Sequence, residues 1–316
     1  MKSFKYIIIL FLSVISFSCE SLLEEEVFSE LSTENYLTTE NGLETVLNQA
    51  YGRMQRHGHD WTVQLHSDIV MTGRGDGDLG AWEGSTIAPF RLWNWVSTQW
   101  NIQNNWVRNY DVIYNCNTIF DNIDNSNFSE EFKNRLKGEA YALRAHAYYL
   151  LYDYFGAVVI HTTAETTDFN LPRSTEEETK KQIENDFLAA INLLPVNQDD
   201  YGRITKGGAI GMLCKFYLNT KQWQKCKDVA QDVIDLNKYS LFPDFTTLFH
   251  IENEGNEEVL WVQPCNPEPG LAGSLAGLTY PRDWAFKGTQ NTWPARMYVP
   301  DWFVDSYLPG DSRADS

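Results

Sequence analysis

The sequence is poor in cysteine, in positive charge and in long apolar runs. Five cysteines in 316 residues, with no C-x-x-C among them, exclude a disulfide-stapled small domain and a zinc ribbon. Only 25 Lys and Arg stand against 43 Asp and Glu, a formal charge of −18 with pI ≈ 4.7. Such a chain repels phosphate backbones and anionic headgroups, which argues against nucleic acid as a partner. The longest apolar stretch, the almost unbroken Tyr6–Phe17, has twelve residues. At about 1.5 Å per residue it falls well short of a hydrocarbon core of roughly 30 Å. No G-x-S-x-G, H-E-x-x-H or P-loop occurs.

Against these absences stand 43% hydrophobic residues, enough to bury a core and to exclude a disordered chain. The 17 Phe, 16 Tyr and 11 Trp are an unusually large aromatic complement. Length alone suggests one large domain or two ordinary ones.

The N-terminus carries an address. Lys2 and Lys5 precede the apolar run, and small residues lead to a lone Cys19, so residues 1–18 read as a signal peptide. Ser16-Phe17-Ser18-Cys19 resembles a bacterial lipobox, which implies lipidation of Cys19. Residues 19–33, with Glu20 and Glu24-Glu25-Glu26, form an acidic tether that resembles the surface-export signal of Bacteroidetes lipoproteins. Removing residues 1–18 takes away two lysines and no acid, leaving a mature charge of −20.

From Glu34 onward helical periodicity dominates the chain. A first helix lies within residues 34–54, with Leu43, Val46, Leu47, Ala50 and Met54 on its apolar face. Residues 57–98, rich in Gly, Asp and Trp, lack a period and read as loop. Trp106, Tyr110, Ile113, Tyr114, Asn117, Phe120 and Ile123 predict a long helix, and Ser129 caps the next, which runs to about Phe155. Gly156–Ile160 breaks the pattern. Ser174-Thr175-Glu176-Glu177 opens a helix that ends at Leu194-Pro195. Residues 205–218 and 223–236 form a further pair around a turn at 219–222. Val259–Val262 predicts a strand, and 264–300 is irregular.

The helix pairs fit a tetratricopeptide register. With Tyr217 at the template tyrosine, Leu213 and Cys214 take the leucine and the small residue after it. Trp223 opens the second helix, Cys226 stands at the conventional alanine, and Ala230 and Val233 point inward. A second unit aligns on Phe187, Ala190 and Pro195, with its first helix at 139–154 and residues 156–175 inserted. Cys214 and Cys226 are thus read as small helix-contact residues. Trp106 and Trp223 are read as core residues on periodic faces.

Several motifs look like chemistry. Gly75-Asp76-Gly77-Asp78-Leu79-Gly80 matches G-x-G-x-x-G, but Gly84 and Pro89 break any following helix and both aspartates repel phosphate. As a calcium loop, Asp76 and Asp78 have the first EF-hand spacing while the third ligand and the bidentate Glu are missing. An improvised calcium site is the one metal alternative left open; the expectation is no cofactor. His57, His59 and His66 with Asp60 and Asp68 are metal-capable but fix no third ligand, so they read as a surface loop. Ser274 lacks the glycines of a nucleophile elbow. Paired carboxylates leave a glycosidase as a minor alternative.

The tryptophans remain. Trp61, Trp82, Trp93, Trp95, Trp100 and Trp106 fall close together, most of them in the aperiodic segment, and Trp284 and Trp293 lie in the second irregular stretch. Indoles in Gly-rich loops offer flat faces to sugar C–H groups, and neighbouring Asn, Asp and Arg supply orienting hydrogen bonds.

Gly138-Glu139-Ala140-Tyr141-Ala142-Leu143-Arg144-Ala145 with Tyr148 and Tyr149 resembles the "GEA-x-x-LRA-x-x-Y" helix of the SusD/RagB family. Tyr154-Phe155-Gly156, Arg173-Ser174-Thr175-Glu176, Leu193-Leu194-Pro195 and Gly202-Arg203-Ile204-Thr205-Lys206-Gly207 come next, in the family's order. Trp106, Tyr110, Ile113 and Asn117 resemble its earlier helix. The resemblance implies a mostly α fold, a tetratricopeptide-like scaffold with long irregular loops and little β. It also implies a non-catalytic outer-membrane lipoprotein, exposed at the cell surface, that captures oligosaccharides for a TonB-dependent SusC-type barrel transporter. By analogy of region, loops 57–98 and 280–296 carry the ligand. Trp82, Trp93, Trp95, Trp284 and Trp293 are then the stacking candidates, and Asp68, Arg74 and Asn94 the hydrogen-bonding ones.

The resulting layout is a signal peptide (1–18), a lipidated tether (19–33), N-terminal helices with the Trp/Gly-rich loop (34–129), tetratricopeptide-like pairs (130–240) and an irregular ligand-face segment (241–316). Val304–Arg313 resembles a mid-chain landmark of longer family members, which implies a C-terminally truncated chain. The alternative is a tetratricopeptide scaffold on the outer membrane that binds proteins through its helical groove.

Overall fold

The computed structural model describes residues 36–54, 71–72, 88–91, 93–124, 127–165, 170–264, 285–286, 289–290, 297–298 and 301–311. Residues 1–33, read above as signal peptide and tether with Cys19, lie outside them, as do His57–Asp68, the Gly75–Gly80 motif and Ser274.

The helices begin where local capping chemistry places them. Helix α1 (Glu40–Arg53) starts at Thr39, whose hydroxyl accepts from Gly42 N at 3.0 Å. The short α2 (Ala88–Arg91) precedes α3 (Trp100–Ile123). Ser129 caps α4 (Glu130–Phe155), and Gly156, at φ 71°, ends it in the left-handed region that a Cβ disfavours. Thr175 and Glu178 form a reciprocal capping box at the start of α5 (Glu176–Leu193). Helix α6 (Lys206–Asn219) and α7 (Trp223–Asp235) flank a turn in which Lys221 adopts φ 60°.

Helices α1, α3, α4, α5, α6 and α7 pack in that order, each against the next. Leu43, Leu47 and Ala50 of α1, Val112, Cys116 and Ile119 of α3, Leu143 and Tyr148 of α4, and Ile183 and Phe187 of α5 form one core with Leu213 and Phe216 of α6. The observed architecture is the mostly helical, tetratricopeptide-like row expected from periodicity. No described helix is long and apolar enough to cross a membrane.

Two charged clusters lock the row. Arg144 is buried between α4 and α5; its Nη1 donates to Asn117 Oδ1 at 2.6 Å, and Asn117 Nδ2 donates to the carbonyls of His161 and Thr163. The inserted segment is thereby tied to α3. Arg203 donates to Glu44 at 2.5 Å and to Glu139 at 3.3 Å, while Arg135 bonds the same two carboxylates. Tyr51 completes this cluster, donating to Glu139 at 2.6 Å and accepting from Ile204 N. Burial in front of that carboxylate pushes the Tyr51 phenol well above its ordinary pKa.

Two sequence expectations are corrected. Val259–Val262 is an irregular segment, not a strand. It lies along the glycine face of α6: a Cβ on Gly208 would come within 3.0 Å of Trp261, and one on Gly211 within 2.6 Å of Leu260. Trp261 Nε1 donates to Gly202 O at 2.9 Å, so side-chain packing on a helix replaces a strand ladder. Trp223 is 60% exposed, since no described element covers the outer side of α7. Trp106 is partly buried as expected, edge-on to Phe155 at 5.1 Å.

The β-structure is small. Strand β1 (Met71–Thr72) pairs antiparallel with β4 (Met297–Tyr298), and β2 (Ala285–Phe286) with β3 (Thr289–Gln290). A short α8 (Asp301–Val304) comes after β4.

Candidate functional site

The β1–β4 pairing matters for position. Met71 lies opposite Tyr298 and Thr72 opposite Met297, so the two aperiodic stretches of the sequence meet at one ladder. Helix α2 packs beside β1. The turn leading from α2 into α3 carries the aromatic side chains.

That turn is built from the backbone outward. Phe90 O accepts from Trp93 N at 3.2 Å and Pro89 O from Asn94 N at 3.0 Å, folding the chain back directly after α2. Trp93 takes φ 55°, a left-handed conformation costly for a bulky residue and characteristic of functional turns. Phe90 is fully buried and anchors the turn. Trp95 stacks nearly parallel on it, with centroids 6.1 Å apart and planes at 18°. Trp93 sits against Trp95 at 5.6 Å with a 46° tilt. A second turn, with Gln99 N donating to Val96 O at 2.9 Å, then delivers Trp100 as the first residue of α3.

The result is an aromatic shelf facing solvent. Trp93 is 64% exposed, Trp100 62% and Trp95 37%, and Asn94 is exposed between Trp93 and Trp95 in the chain. Exposing this much indole in one turn forgoes a hydrophobic gain of about 1.5–3 kcal/mol per large side chain. None of these side chains ionises near neutral pH. Flat π-faces beside an amide are suited to a ring with C–H faces and peripheral hydroxyls.

Of the sequence candidates, the structure therefore brings Trp93, Asn94 and Trp95 together. Trp82, Trp284, Trp293, Asp68 and Arg74 lie outside the described residues. Arg74 comes two residues after β1 and Trp293 four before β4, on segments that lead into and out of the ladder. Sequence reasoning passed over Phe90, the buried anchor; its signal was an apolar residue behind Pro89 at the head of the tryptophan run. Among the described residues no group of three His, Cys, Asp or Glu could hold a metal ion.

Residues 23–218 match the profile of the SusD-like family, described as "Starch-binding associating with outer membrane". The chain belongs to the SusD-like family. A SusD-like protein of Formosa agariphila (P25) is 28% identical over 95% of this chain and 59% of its own length. Among solved structures, a SusD-like protein from Bacteroides fragilis superposes with TM-score 0.74 at 20% identity, covering 87% of this chain and 54% of that one. A laminarin-binding SusD-like protein superposes with TM-score 0.63 at 25% identity, covering 69% and 50%. The chain thus spans between half and three-fifths of the length of these SusD-like relatives.

Proposed function

We propose that the protein is a non-catalytic, cell-surface glycan-binding lipoprotein, anchored through Cys19, that captures oligosaccharides for a TonB-dependent SusC-type barrel in the outer membrane. The observation that carries this reading is the exposed Trp93–Trp95 pair, raised on a buried Phe90 in a chain of the SusD-like family. In this reading Trp93 and Trp95 stack on sugar rings and Asn94 hydrogen-bonds their hydroxyls. In the same reading Trp82, Trp284 and Trp293 extend the stacking surface, and Asp68 and Arg74 add polar contacts.

Calorimetric titration with α-1,4- and β-1,3-glucan oligosaccharides tests the binding. Saturable binding of one series, weakened at least tenfold in W93A/W95A, is the expected result; a double variant that retains full affinity rules the shelf out. The transport part is tested by pull-down of the lipidated protein from gently solubilised outer membranes. Co-purification of a TonB-dependent barrel is expected, and its absence with intact bait argues for the protein-scaffold alternative.

A further inference from the structure

The tetratricopeptide register accounts for why Cys214 and Cys226 are small, but not for why both are cysteine. Position 214 on α6 and position 226 on α7 are helix-contact positions of the template, which favours alanine or another small residue there. The two sulfurs lie 3.4 Å apart, and Cys214 Sγ also reaches Cys226 O at 3.6 Å. Both thiols are free and partly accessible, whereas Cys116 is fully buried. Helix α7 has no buried residue, and among the described elements it packs on α6.

We infer that Cys214 and Cys226 form a redox-controlled cross-link that staples α7 to α6 once the chain has left the cytoplasm. The cross-link rests on the proposed export for its compartment, but not for its geometry. The chemistry balances simply. The two thiols lose two protons and two electrons and gain one S–S bond, while the disulfide of an extracytoplasmic thiol oxidant accepts the electrons and is reduced to two thiols. In the cytoplasm the same pair stays as a dithiol. Burial and the neighbouring sulfur raise the Cys214 thiol to about 11, so Cys214 itself carries little thiolate at neutral pH. The closed loop of a dozen residues restrains α7 whenever it opens from α6.

Two measurements decide it. In the first, the full lipidated protein is recovered from cell envelopes with thiols acid-trapped and alkylated under denaturing conditions, and its peptides are mapped without reductant. The expected product links Cys214 to Cys226, two hydrogen masses lighter than the dithiol, with Cys116 alkylated. Alkylation of both cysteines, or a linkage to any other cysteine, overturns the proposal. In the second, the purified protein is treated with a dithiol-disulfide oxidoreductase in its oxidised form and followed by hydrogen exchange. Amides of α7 are expected to exchange at least tenfold more slowly in the oxidised protein. That difference should vanish in C226A, which carries the template's own residue and so keeps its fold. Failure to link in the second assay overturns the geometry. Linkage there, with free thiols in envelopes, overturns the physiological cross-link and places the fault in the export premise.

Discussion

Arg144 and Asp186 meet as a fork in the protein interior, Nε to Oδ2 and Nη2 to Oδ1, both at 2.8 Å, with each side chain less than a tenth exposed. Gln182 Nε2 also donates to Asp186 Oδ2 and Arg144 Nη1 donates to Asn117 Oδ1, while the guanidinium lies 4.5 Å from the centre of the Phe120 ring. Breaking such a pair leaves a desolvated charge, which costs far more than the pair contributes over an apolar replacement.

D186A should therefore lose about 3–5 kcal/mol in urea unfolding, while R144M/D186L should recover most of that loss. A loss below about 1 kcal/mol for D186A would mean that water reaches the guanidinium.

The capping box on α5 sets a pH dependence. Thr175 N and Oγ1 both donate to Glu178 Oε2 at 2.7 Å, and these bonds hold the Glu178 carboxyl below its ordinary pKa. A depressed folded value means stability that is complete above the unfolded glutamate pKa of about 4.3 and is lost as pH falls through the folded value. Wild type should therefore melt above E178Q at neutral pH, and the gap should close below about pH 4. T175A, which removes the cap from the other side, should cost about 1 kcal/mol at neutral pH. A gap that widened on acidification would contradict the assigned bonds.

Gly207 is required by contact rather than by backbone angle. A Cβ there would stand 2.3 Å from Tyr239 Oη and 2.4 Å from its Cε2. G207A should displace the ring, break its 3.3 Å contact with Thr205 and destabilise by about 1–3 kcal/mol. In G207A/Y239A the two losses should sum to less than their separate values, as expected for residues in contact.

The shelf is checked by comparing tryptophans. W95A removes the ring that Phe90 supports and should weaken glycan binding at least tenfold, or about 1.4 kcal/mol. W223A, which removes an indole on α7 that is more exposed than Trp95, should leave binding unchanged. Affinity through Trp93, Asn94 and Trp95 should not vary between pH 6 and 8, since none of the three titrates. Equal losses in both variants would assign the ligand to the helical scaffold instead.

What the sequence determined by itself was local. Ser129, the Ser174–Glu177 stretch and Gly156 marked helix ends through local chemistry, so those ends were legible without the fold, although the structure seats the capping box on Thr175 and Glu178. The periodic faces of α1, α3 and α4 were legible for the same reason, and so was the region of the aromatic shelf. Tertiary structure decided the rest. Trp106 and Trp223 have similar helical settings, yet one packs on Phe155 and the other faces solvent, because only the neighbouring helix determines which side of a stripe is covered. Val259–Val262 has strand-forming residues but meets the glycine face of α6, where close approach outweighs β-propensity. The pairing of Met71 with Tyr298 joins segments more than two hundred residues apart, a choice made by chain topology that no local pattern encodes.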